Sequence, residues 1–196
     1  MKIAVVGAKG RVGSLVVKEA KERGLEVVEL KKRSNELTKE DLKGFDAVVD
    51  AVGGWTPETI PNITNAMKDL ADLLKGTNTR LLVVGGAGSL FVNKERTVTV
   101  DMGPDFPDDW KPLSNAHGAG LAYLRNSKDL NWTYISPACV FNADGERTTK
   151  YILGGEDLVL NSKGESTLSY ADFAFAMVDE IINAKHIKER ISVVSE

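Results

Sequence analysis

The chain has 196 residues, a net charge of −3, two histidines and a single cysteine. That length fits one domain with a continuous core, and the weakly acidic balance leaves no electrostatic footprint for nucleic acid. One cysteine excludes an internal disulfide framework and two distant histidines argue against zinc. No run approaches the roughly 18 apolar residues of a membrane span, so a cytoplasmic protein with no metal, membrane or nucleic-acid partner is expected.

Short β-branched runs bounded by turn residues predict buried strands over Lys2–Val6, Glu26–Leu30, residues 45–51, Arg80–Val84, Trp132–Ser136 and residues 190–194. Their near-continuous apolar character indicates parallel strands covered on both faces. Helical periodicity falls between them. Val12, Leu15 and Val16 open a first helix that Gly24 closes, and the apolar stripe of Ile63, Met67, Leu70, Leu73 and Leu74 marks a second over residues 62–75. Residues 114–126 read as a third, and Ser169-Tyr170-Ala171-Asp172 caps a fourth over residues 169–184. This alternation predicts a Rossmann-type doubly wound parallel sheet flanked by helices, one domain spanning residues 1–196. Residues 97–112 read as a long surface loop. Within residues 142–164, two strand-like pieces at 151–153 and 157–160, separated by Gly154-Gly155, read as a small inserted C-terminal hairpin. No apolar stripe is left over to mark an oligomeric partner.

The first strand runs directly into Gly7-Ala8-Lys9-Gly10-Arg11-Val12-Gly13, where a helix begins. Gly7 suits the tight turn off the strand, Gly10 lets backbone approach a pyrophosphate, and Gly13 lets the helix pack on the strand. The helix N-terminus then offers free N–H groups to phosphate oxygens. All seven residues are cofactor-binding candidates for a nicotinamide dinucleotide. The tip of the second strand selects between NAD and NADP, a carboxylate holding the ribose 2′-hydroxyl and a basic residue the 2′-phosphate. Here it reads Glu29-Leu30-Lys31-Lys32-Arg33. Lys32 and Arg33 favour NADP(H) over NAD(H), with Glu29 as the competing carboxylate. Ala51, Val52 and Gly53 after the third strand, and Gly85, Gly86 and Ala87 after the fourth, lie at carboxyl ends of strands, where such sheets bind ligands. Trp55 is a candidate to stack on a planar ligand, residues 102–110 a candidate lid, and Cys139 reads as packing.

The spacing of the glycines resembles that of extended and atypical short-chain dehydrogenase/reductases. Classical members use a Tyr-x-x-x-Lys pair on the helix after the fourth strand. Here that helix carries Tyr123 followed by Ser127, so the pair is absent. The segments GAKGRVG at 7–13, VVGGAGSL at 83–90, LNWTYISPA at 130–138, GERTTKYILGGEDL at 145–158 and SYADFAFAMVDEI at 169–181 resemble the NADH-flavin reductase family of atypical short-chain proteins, similar to biliverdin-IXβ/flavin reductases. The resemblance implies hydride transfer to a flavin or similar planar acceptor, which spreads the charge over its own ring and needs no strong protein acid. It also implies that Ser136, Pro137 and Ala138 contact the nicotinamide end. Ser89 and His117 are the candidate catalytic residues. The alternatives are a non-enzymatic NADP(H)-binding regulator of the NmrA type, or a reductase or isomerase of another small metabolite.

Overall fold

A computed structural model describes residues 1–196. Five parallel strands form its centre: β1 (Lys2–Val6), β2 (Glu26–Leu30), β3 (Ala47–Asp50), β4 (Arg80–Val84) and β5 (Trp132–Ser136). Two short strands follow, β6 (Val140–Asn142) and, later, β8 (Thr167–Ser169), which pair with each other in parallel; β7 (Tyr151–Gly154) and β9 (Glu189–Ser195) complete the set. The main sheet runs in the order β2-β1-β3-β4-β5-β9-β7, with only β7 antiparallel.

Strand β1 is the pivot. Ile3, Ala4 and Val5 are fully buried, so both faces of the strand must be covered. Helices α1 (Arg11–Glu22) and α4 (Tyr170–Asn183) pack together over one face, and α2 (Pro61–Leu74) and α3 (Lys111–Arg125) over the other. Each pair encloses a hydrophobic layer: Val5, Val16, Val49 and Phe173 on the first side, Val48, Met67, Leu81 and Leu121 on the second. Chain order reverses at β1, with β2 on one side and β3 on the other. In doubly wound sheets, the crevice outside the carboxyl ends of the strands at such a reversal is where ligands bind. At the opposite end, Arg80 and Glu180 form a buried ion pair at 2.7 Å, and Glu180 also accepts from the His186 ring. This network anchors α4 away from the crevice. No helix is long and apolar enough to cross a membrane.

The region expected as an inserted hairpin is built differently. Residues 151–154 are a strand, but their partner is β9, so they extend the main sheet as its seventh strand. Residues 157–160 form no strand beyond a single bridge from Asp157 to Phe91. The non-local partner wins because β9 offers Val193 and Val194, both buried, as cross-strand neighbours for Leu153 and Ile152. The fourth helix is capped as its sequence predicts, with Ser169 Oγ accepting from the Asp172 N–H at 2.9 Å.

Candidate active site

Gly7 leaves β1 with a φ of +77°, and a β-carbon on it would lie 2.5 Å from the Ala51 carbonyl oxygen. A β-carbon on Gly13 would lie 2.2 Å from the Gly7 carbonyl. Both positions therefore require glycine, one for conformation and contact, the other for contact alone. Gly10 is the N-cap of α1; no side chain caps the helix and its first turn has no acidic residue. The leading N–H groups of α1 are thus left for a ligand, together with the positive end of the helix dipole.

A cleft of about 770 Å³ opens over this helix start. Gly10, Arg11 and Val12 line one end. Residues 51–55 after β3, Val84 at the end of β4 with residues 85–88 after it, and residues 137–139 after β5 form its floor. A volume of this order suits a cofactor-sized ligand, and the walls are mainly apolar with a few polar groups. Most of the expected cofactor residues thus converge: Gly10, Arg11, Val12, Ala51, Val52 and Gly53 at one end, and Gly85, Gly86, Ala87, Pro137 and Ala138 further along. Gly7, Ala8 and Gly13 support the loop from behind, and Lys9 is exposed beside it. Ser136 is fully buried below the floor, its hydroxyl without a partner.

At the tip of β2, Lys32 is ion-paired with Asp41 at 2.7 Å, and Arg33 is exposed with no ion pair. Glu29, the competing carboxylate, is taken by Lys21 at 2.8 Å. That pairing with Lys21 holds the Glu29 carboxyl below its ordinary range. Asp41 is held down to about 2 by its hydrogen bonds from Lys32 and Thr38.

The other end of the cleft is framed by α3 and the residues preceding it. His117 lines it with its ring packed over Gly86, where a β-carbon would come within 3.0 Å of the imidazole. Burial pushes His117 down to about 4 and leaves Nδ1 without a partner, so the ring is neutral near pH 7. One turn earlier on the same face, Ser114 Oγ donates to Asp101 Oδ2 at 2.6 Å. Tyr134, buried beneath, accepts from the Gly86 N–H at 2.9 Å and fixes the loop after β4. Trp55 (73% exposed), Phe106 and Trp110 (51% exposed) stand at the rim, the last two edge to face at 6.5 Å. Residues 103–107 also line the cleft, so the segment expected as a lid borders it. Cys139 lines the floor, and burial raises its thiol, which disfavours thiolate chemistry.

Ser89, expected among the catalytic groups, is placed elsewhere. Its hydroxyl accepts from Arg190 Nη1 at 2.8 Å, and its carbonyl accepts from the same guanidinium. Arg190 is buried and also bound to Glu156, and Ser89 is not part of the cleft wall.

A family model described as NAD(P)H-binding matches residues 20–183. The chain belongs to the NAD(P)H-binding family. Among its relatives, YwnB of Bacillus subtilis (strain 168) is 38% identical over 211 residues, covering 100% of this chain and 99% of that protein. Among solved structures, SP1627 from Streptococcus pneumoniae TIGR4 superimposes with a TM-score of 0.96 at 46% identity, covering all of both chains. A Bacteroides thetaiotaomicron protein superimposes at 0.83 and 32%, over 99% and 96% of the two chains. The first structure carries the name "putative NADH-flavin reductase" and the second "putative epimerase".

In this NAD(P)H-binding protein the one tyrosine of α3, Tyr123, faces away from the cleft. Its hydroxyl donates to Asp72 of α2 at 2.6 Å and meets Lys75. The helix that carries a Tyr/Lys pair in the classical members here presents Ser114 and His117 instead. Sequence reading missed Ser114 and Asp101. The three-residue spacing from Ser114 to His117 places both on one helical face, a usable signal. Asp101 sits in an irregular segment that offers none.

Proposed function

We propose that this chain is an NAD(P)H-dependent oxidoreductase that passes hydride to a flavin or a similar planar acceptor, with NADPH preferred over NADH. The observation that carries it is the joining, in one cleft, of an uncapped glycine-rich helix start with an aromatic-rimmed end that has no Tyr/Lys proton donor. The N–H groups of Arg11 and Val12 hold the pyrophosphate, while the Gly10 N–H closes the loop on the Gly7 carbonyl at 2.9 Å. The glycine-rich backbone after β3 and β4 lies along the dinucleotide, and Pro137 and Ala138 border the nicotinamide. When bound, the dihydronicotinamide supplies a hydride, two electrons with one hydrogen, and leaves oxidised. The acceptor takes a proton from water to complete its reduction.

The protein's part is positioning. Trp55 and Trp110 offer faces for a flat ring, and neutral His117 offers a hydrogen bond without acting as an acid. Arg33, with Lys9 nearby in the chain's first loop, supplies charge for a 2′-phosphate, and Lys32 joins it by leaving Asp41; Glu29 is engaged by Lys21. Ser89, held by Arg190, and Cys139, with its raised thiol, take no part in the chemistry.

The test is NADPH oxidation with lumiflavin, FMN or menadione against a no-acceptor control, alongside NADPH and NADH titrations. Turnover with a planar acceptor and tighter binding of NADPH are expected. Tight NADPH binding with no turnover on any acceptor would overturn the reading in favour of a regulator.

A further inference from the structure

Three separate segments meet at Ser114. Its Oγ lies where a β-carbon on Gly88 would be, 2.0 Å away, so α3 packs directly onto the loop after β4. Asp101, in a short turn at 100–102, is fixed by its own N–H donating to the Gly88 carbonyl at 2.9 Å. The Asp101 carboxylate then accepts from Ser114 Oγ at 2.6 Å and, through its other oxygen, from Thr99 Oγ1. Ser114 has therefore committed its only hydrogen. Its lone pairs receive no hydrogen bond from any protein group, and the residue lines the cleft beside His117. A hydroxyl in this state can only accept.

We propose that Ser114, oriented by Asp101, determines acceptor specificity: it takes a hydrogen bond from an N–H or O–H donor on the planar acceptor. This rests on the oxidoreductase reading and adds a chemical selection to it. A heterocycle with an imide N–H, such as the isoalloxazine ring, satisfies Ser114. A quinone, whose carbonyls are acceptors only, leaves it unpaired and opposes oxygen to oxygen. Buried polar sites discriminate against ligands that leave them unpaired more strongly than apolar pockets discriminate by shape.

The test compares lumiflavin, 3-methyllumiflavin and menadione, which share a flat ring but differ in the donor. Binding is read by quenching of tryptophan fluorescence in the NADP+-loaded protein, and the KM and kcat of NADPH oxidation are measured in parallel. Wild type is expected to bind lumiflavin roughly tenfold or more tightly than the N-methylated ring. Ser114→Ala should abolish that difference, tighten menadione binding and leave NADP+ binding unchanged, and should raise the KM for lumiflavin more than it lowers kcat. Gly88→Ala, which displaces Ser114 without deleting it, should act in the same direction. Thermal unfolding of both variants checks that they fold. Equal binding of the two flavins by wild type, failure of lumiflavin to bind, or a Ser114→Ala effect on NADP+ rather than flavin would each overturn the proposal. Donor-dependent flavin binding with no NADPH oxidation would instead uphold it and sink the oxidoreductase reading.

Discussion

Gly7 and Ala51 stand so close that the space for a β-carbon on the first is taken by the carbonyl of the second, at 2.5 Å. This contact joins the glycine loop to the floor of the cleft at the pivot of the sheet. Gly7 also holds a φ of +77°. Gly7→Ala therefore combines backbone strain with a clash against backbone, and is expected to cost roughly 2–4 kcal/mol. Chemical denaturation should show the loss, and NADPH titration should show binding abolished even where the variant remains folded.

The ion pair of Lys32 with Asp41 predicts how the cofactor is selected. Lys32→Ala should weaken NADPH binding roughly tenfold and leave NADH nearly unchanged, since a charged hydrogen bond to phosphate is lost only for the former. Asp41→Asn should release Lys32 and tighten NADPH modestly at low salt. An unchanged NADPH-to-NADH ratio in Lys32→Ala would place the 2′-phosphate elsewhere.

The aromatic rim predicts separable effects on binding and folding. Trp55 and Trp110 are largely exposed, so alanine at either costs little stability. Loss of a stacking face should weaken lumiflavin binding roughly three- to tenfold. Equilibrium unfolding midpoints that match wild type, together with weaker flavin binding, are the expected pair of results.

Asp50 ends β3 in full burial with one hydrogen bond, accepted from the Val52 N–H at 3.1 Å. Burial, with a smaller contribution from Asp69, pushes it up to about 7 from an ordinary value of 3.8. Between those values the unfolded chain has released a proton that the folded chain keeps, so this group's contribution to stability falls as pH rises through that window. Asp50→Asn should match wild type near pH 4 and exceed it increasingly up to pH 7, by on the order of a few kcal/mol. Denaturant melts of both proteins across that range check the slope, and a constant difference would mean that Asp50 ionises normally.

Much of this architecture was readable because the signals are local. The pivot strand, the glycine loop and the capping serine at position 169 each declare themselves within a few residues, and the structure places them accordingly. What could not be read depends on distant partners. Residues 151–154 look like half of a hairpin until β9 supplies a better partner some forty residues on. Ser89 looks like a site residue until Arg190, 101 positions away, claims its hydroxyl. Asp101 acquires its role only because the turn at 100–102 docks on Gly88 and faces α3. The absence of the Tyr/Lys pair was legible, and the structure adds that Tyr123 faces α2.

The proposed function requires direct hydride transfer within one cleft. A single-turnover reaction of protein, flavin and NADPH deuterated at either face of C4 tests it. A primary isotope effect on flavin reduction is expected for one labelled face and none for the other, because the proposed reaction requires one face of the nicotinamide to meet the acceptor. Flavin reduction no faster than in buffer, or an effect shared equally by both labels, would contradict it.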